Sequence, residues 1–148
     1  MNFVIQIVIA LVAILINQIN VLVSLAATPS QVYNPILLPM GKEIKDKLTK
    51  SDFPTGEGGF ARDYIINLRA GDQIVIDLKS DSFDTIVTLI GAKGVVVGEN
   101  DDAAEGTTNS LLFERIAKDG NYIVRVRSFG TEPALGAFTL KVTRLRAE

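Results

Sequence analysis

From Tyr64 to Val142 apolar and polar residues alternate along the chain with a period of two, as expected of strands that bury one face. Tyr64, Ile66 and Leu68 alternate with Asp63, Ile65 and Asn67; Ile74, Ile76 and Leu78 alternate with Gln73, Val75, Asp77 and Lys79. Further on, Tyr122, Val124 and Val126 alternate with Ile123, Arg125 and Arg127, and Phe138, Leu140 and Val142 with Thr139, Lys141 and Thr143. Between these pairs of strands lies a predicted hairpin: a strand Thr85–Ile90, a glycine-bounded turn Gly91–Gly94, and a second strand Val95–Gly98. Its first strand sets Val87 and Leu89 on one face and Ile86, Thr88 and Ile90 on the other. Leu111–Ile116 is apolar with two facings open, either Leu112 and Ile116 inward or Leu111 and Phe113. Turns fall at Ala70-Gly71-Asp72 and at Lys118-Asp119-Gly120-Asn121, with a loop over Ser128–Leu135. Short strands at this spacing predict an all-β, antiparallel β-sandwich of seven or eight strands, with no helix in this half longer than a turn.

The N-terminal part follows another pattern. Residues 1–41 contain no Asp, Glu, Lys or Arg, so the 15 basic and 17 acidic residues all lie from Lys42 onward. Phe3–Ile16 is almost unbroken apolar, and after Asn17, Gln18 and Asn20 the apolar run resumes to Ala27. The segment 1–27 therefore predicts a hydrophobic helix that is a cleaved signal peptide, an uncleaved membrane anchor, or a buried helix of the fold. Ser24-Leu25-Ala26 places small residues where a signal peptidase reads them, with cleavage before Ala27, although no Lys or Arg stands ahead of the apolar core. The first two readings place the rest of the chain outside the cytoplasm, secreted, periplasmic or at the cell envelope. Pro29, Pro35 and Pro39 make 28–41 an extended linker. Lys42–Thr49 fits either one helical turn or a charged edge strand, and Ser51–Ala61, with Pro54, Gly56, Gly58 and Gly59, is a loop. The domain proper is expected over 42–146.

Composition removes several chemistries. The chain has no His and no Cys, so imidazole bases, Ser-His-Asp triads, thiol catalysis, thiolate metal sites and disulfides are all excluded. A net charge of −2 gives no electrostatic case for nucleic acid as a partner. Carboxylates, Lys, Ser, Thr and Tyr remain.

The carboxylates concentrate in one place. Glu99, Asp101, Asp102 and Glu105 follow the hairpin, with no Lys or Arg between Lys93 and Arg115. Calcium takes six to eight oxygens, so these groups, with Asn100 and backbone carbonyls, form a candidate calcium site. Asp81 and Asp84 join it if their loop reaches the same end of the fold. The spacing is not that of an EF-hand, and a solvated loop in which Asn100 and Asp101 cap a turn explains the same residues. Asp84-Thr85 also reads as a structural pair, the carboxylate accepting backbone N–H groups at the head of a strand. Glycoside hydrolysis by paired carboxylates needs a partly apolar pocket that raises one pKa, and the acidic loop offers no aromatic or bulky apolar residue to build one. Arg125, Arg127 and Lys141, with Arg144 and Arg146 beyond, would form a basic face for an anionic polysaccharide or phospholipid head groups if the last two long strands pair; a solvated sheet face is the other reading. Tyr64, Tyr122 and Phe138 point inward, leaving Tyr33, Phe53, Phe60 and Phe129 as the loop aromatics.

Three pieces in order carry a resemblance: Phe83-Asp84-Thr85 opening a strand, Glu99-Asn100-Asp101-Asp102 leading to Asn109-Ser110, and Asp119-Gly120-Asn121-Tyr122 followed by Gly136-Ala137-Phe138-Thr139-Leu140-Lys141-Val142. Over about Lys42–Arg144 the chain resembles the bacterial pre-peptidase C-terminal domain. The resemblance implies a jelly-roll-like β-sandwich, non-catalytic, of the kind appended to secreted peptidases and other exported proteins. Some members, including collagen-binding modules of clostridial collagenases, bind calcium and an extracellular polymer. The acidic Glu-Pro-Asn-type segment that often precedes the first strand in that family has no counterpart here, since Gln31–Gly41 contains no carboxylate. The expected function is a non-enzymatic binding or accessory module; the alternatives are a calcium-dependent polysaccharide- or matrix-binding module, a structural domain assisting folding or secretion of a partner peptidase, and a carboxylate-based hydrolase. Its expected partner is an extracellular polymer or a protein such as an exported peptidase, with the membrane involved only through an uncleaved leader.

Overall fold

The computed structural model describes residues 33–103, 107–130 and 134–145. Within them the alternating segments are strands. In chain order these are β1 (Ile36–Leu37), β2 (Ile44–Leu48), β3 (Phe53–Pro54), β4 (Phe60–Leu68), β5 (Gln73–Lys79), β6 (Thr85–Ile90), β7 (Val96–Asn100), β8 (Ser110–Arg115), β9 (Gly120–Ser128) and β10 (Gly136–Leu145). One turn of 3-10 helix, Ala92–Gly94, joins β6 to β7. Two sheets result: a larger one in the order β1-β4-β9-β6-β7, with β3 beside β4, and a smaller one in the order β2-β10-β5-β8. All pairings are antiparallel except that of β1 with β4.

The apolar phase of each strand is the core. Tyr64, Ile66, Leu68, Val87, Leu89, Val124 and Val126 of the larger sheet meet Leu48, Ile74, Ile76, Leu78, Leu140 and Val142 of the smaller, all of them buried. Each such aliphatic side chain contributes about 1.5–3 kcal/mol by leaving water, so the shared interior accounts for the two layers staying together. Phe138 anchors one end, meeting Tyr64 and Phe83 edge-to-face at centroid distances of 6.4 and 6.3 Å. Leu111–Ile116 is settled by the same rule: Leu112 and Ile116 go inward, and Phe113 stands 60% exposed. A buried polar tie also links the layers. The hydroxyls of Thr85 on β6 and Ser110 on β8 lie 2.6 Å apart, and each is bonded to a backbone carbonyl, so neither is left unpaired in the interior.

The structure decides between the two readings of Lys42–Thr49 and differs from the sequence reading elsewhere. The charged segment after Lys42 is an edge strand, with Lys45 and Lys47 exposed and Ile44, Asp46 and Leu48 on the inner phase. The chain joins the sandwich earlier than Lys42: the compact unit begins at Pro35, β1 runs parallel to Tyr64–Ile65, and Leu38 is buried with its N–H donating to the Ile65 carbonyl at 2.9 Å. The hairpin's second strand extends through Glu99 to Asn100 because the ladder continues past Gly98, Thr88 lying opposite Glu99. The last two long strands do not pair. β9 is enclosed between β4 and β6 and β10 between β2 and β5, so Arg125 and Arg127 lie on one sheet and Lys141 on the other, and no joint basic face forms. The leader 1–27, Glu105 and Arg146 lie outside the described residues.

Candidate functional site

Of the six carboxylates named as calcium candidates, the five among the described residues do not share one location. Glu99 sits on β7 facing out of the larger sheet, where it accepts a hydrogen bond from the Thr88 hydroxyl at 2.6 Å and pairs with Arg127 at 3.3 Å. The Thr88 bond first, and Arg127 after it, hold its carboxyl below the usual range against the opposing effect of burial. Asp81 lines a groove on the smaller sheet instead. Asp84 heads β6; its backbone carbonyl accepts the Phe129 N–H at 2.8 Å, and its Oδ1 is buried with no hydrogen-bond partner among the described residues. Asp101 and Asp102 continue from β7 into the loop, beyond the pairing of Asn100 with Val87. Among the described residues no three Asp or Glu side chains converge on a point where an ion could sit.

A different ionic cluster, unmarked in the sequence, joins the layers. Asp46 lies on the inner phase of edge strand β2 and receives Arg62 Nη1 at 2.7 Å and the Tyr64 hydroxyl at 2.8 Å, both from β4 of the other sheet. Arg62 also donates to both oxygens of Asp52, which caps Thr49 through its backbone N–H and hydroxyl. Burial pushes the Asp46 carboxyl up, but hydrogen bonds from the Lys47 N–H, Tyr64 and Arg62 outweigh it and the net displacement is downward. Tyr64, fully buried, is driven up by burial and then by its bond to Asp46. Asp46 and Asp52 both accept from Arg62, and Asp46 also from Tyr64, so the cluster holds β2 to β4.

The outer face of the larger sheet carries two adjacent rows set by register. The first is polar: Asp63, Arg125, Thr88 and Glu99 lie directly opposite one another across β4, β9, β6 and β7. Arg125 grips Asp63 with two bonds of 2.8 Å, and the Asp63 side chain is only 1% exposed. The second row is aliphatic. Leu37 faces Ile65, Ile65 faces Ile123, Ile123 faces Ile90 and Ile90 faces Val96, so five branched side chains cross five strands in one line. Leu37 and Val96, at the ends, are 76% and 56% exposed, and the three isoleucines between them are half-buried. Val95 and Val97, next to Val96 in the chain, are 62% and 39% exposed. Sequence reading set Ile65, Ile90 and Ile123 opposite the alternating partners on their strands, placed Leu37 in a linker and gave Val96 no facing, and a line across five strands is visible only once the pairings are known.

The smaller sheet has a groove of about 750 Å3 bounded by Lys45, Lys47, Lys79 and the Ser80–Ser82 turn. Arg144, expected on a basic face, is instead paired with Asp72 at 2.8 Å.

No protein-family model matches the sequence, and no curated protein matches it. Solved structures do. The pre-peptidase C-terminal domain of collagenase from Bacillus anthracis aligns with 76% of this chain and 98% of its own length, at a TM-score of 0.57 and 13% identity. The chain has the pre-peptidase C-terminal fold. The periplasmic inhibitor of g-type lysozyme from Aeromonas hydrophila also aligns, over 74% of this chain and 96% of its own, at a TM-score of 0.51 and 12% identity. At such identities the likeness concerns the path of the backbone, so it establishes the pre-peptidase C-terminal fold and does not extend to the surfaces described above.

Proposed function

We propose that this chain is an exported, non-catalytic accessory module that holds a partner protein, such as an exported peptidase, against the outer face of its larger sheet. The observation that carries this reading is the line of five aliphatic side chains across that face. A sheet face turned to water normally alternates with polar residues, and a contiguous apolar strip rimmed by polar groups is the composition of a protein contact. The bordering row supplies a polar rim whose charges are already paired, Asp63 with Arg125 and Glu99 with Arg127, so a partner can bury it without stranding a charge. Two other observations support a role without catalysis. The half-buried carboxylate Asp46 accepts from Tyr64 and Arg62, and the fold also serves as a domain of a collagenase and as a periplasmic lysozyme inhibitor. An apolar leader over 1–27, acting as signal or anchor, would deliver the module outside the cytoplasm.

Binding of the full chain to exported peptidases of the same source, measured by surface plasmon resonance beside an Ile123→Lys variant, tests the reading. A charge in the middle of the strip should weaken binding by about tenfold or more while leaving the unfolding midpoint within about 2 °C. Binding indifferent to that charge, or no protein bound at all, would overturn it.

A further inference from the structure

The outward residues of β10 alternate with its buried Phe138, Leu140 and Val142, which puts Ala137, Thr139 and Lys141 on the open face of the smaller sheet. Register then builds a channel. Ala137 lies opposite Lys47; Thr139 lies opposite Lys45 on one flank and Lys79 on the other; Lys141 lies opposite Asp77. Small side chains form the floor and lysines form both banks, and this is where the groove of about 750 Å3 runs, closed at one end by Ser82 and Asn109. The carboxylates nearby do not cancel the lysines. Asp46, although it borders the groove, is turned toward Arg62 and Tyr64. Asp77 is bound to Lys79 at 2.7 Å, and Asp81 stands on the rim. Lys45, Lys47, Lys79 and Lys141 against Glu43, Asp77 and Asp81 leave a local surplus of one positive charge, in a chain whose net charge is −2. Among the described residues Lys45, Lys47 and Lys141 make no ion pair.

We propose that this channel binds an anionic polysaccharide laid along β10. Lysines on both banks match a carboxylated sugar chain, and the hydroxyls of Thr139 and Ser82 and the amide of Asn109 match its hydroxyl groups. A peptide fits less well, because peptide docking draws its energy from a large apolar or aromatic anchor in a pocket, and the one ring here, Phe138, is 3% exposed with its face in the core. The site is separate from the aliphatic strip, which lies on the other sheet, so either can exist without the other.

The test uses the full chain and polygalacturonate as probe, with neutral dextran, polyglutamate and polyphosphate as comparisons. Polygalacturonate should bind at low ionic strength, be released at about 0.5 M salt, and bind about tenfold or more weakly to the Lys45→Glu, Lys47→Glu double variant. Lys118→Glu, an exposed lysine elsewhere, should bind as the unaltered chain does. Amide resonances that move on titration should concentrate at Thr139, Ser82 and Asn109, a readout that needs no variant to fold. Failure to bind polygalacturonate, equal binding by the double variant, equal binding of polyglutamate or polyphosphate, or shifts centred on the larger sheet would each overturn the proposal.

Discussion

Asp46 occupies an inward position on an edge strand, where a carboxylate ordinarily costs several kcal/mol unless it is paired. Its oxygens are taken by Arg62 and Tyr64, so a residue that would otherwise weaken the core instead fastens β2 across the interlayer gap. This bears on acid stability. The folded-state pKa of Asp46 is lowered, so the unfolded chain takes up the proton first; the contribution is complete above the ordinary carboxylate value of about 4 and is lost as pH falls through the lower folded value. Urea midpoints measured between about pH 6 and pH 2 should therefore drop at the acid end, and Asp46→Asn should start lower and drop less steeply. An Asp46→Asn variant with the same acid limb as the unaltered chain would show that other groups set it. The cluster was illegible in the sequence because its members are 10 to 18 residues apart and fall on two sheets, and a charged pair announces nothing by spacing unless both partners share one element.

At the scale of elements, the alternation beyond position 60 was legible because each long strand buries one face completely, and every inward residue named for β4, β5, β9 and β10 is in the core. What alternation does not encode is which strands neighbour each other. Arg125, Arg127 and Lys141 were read as one face on the assumption that consecutive long strands pair, whereas the chain crosses between layers after Ser128, and Arg125 and Arg127 find Asp63 and Glu99 as partners. Two residues of β1 escaped because they follow prolines and are too short to show a period. The crossing into β10 depends on Gly136. Its φ of 151° belongs to the range that favours glycine, and a Cβ there would lie 2.3 Å from the Ser82 Cβ. Gly136→Ala should lower stability by about 1–3 kcal/mol in urea unfolding. The double change Gly136→Ala, Ser82→Gly should recover only part of the loss, since it removes the collision and leaves the backbone strain. Full recovery would place the whole cost in the collision.

On the whole molecule, two chemically different faces lie on opposite sheets: an aliphatic strip with a self-paired polar border, and a lysine-banked channel floored by small residues. Among the described residues no three carboxylates gather as a calcium seat: Glu99 is bound to Thr88 and Arg127, Asp81 lies in the channel, and Asp84, Asp101 and Asp102 stand near one end of β6 and β7. Differential scanning calorimetry in about 5 mM calcium should accordingly leave the midpoint where chelator leaves it, whereas a rise of several degrees would return an ion to the acidic loop by mass action on the folded state. The claim on which the functional account stands is that the larger sheet is the working surface. A photoreactive residue at position 123, compared with one at position 75 on the outer face of the smaller sheet, examines it in cells of the source. Irradiation should attach an exported protein at position 123 and not at position 75, and identical adducts at both positions, or an adduct at position 75 alone, would contradict the account.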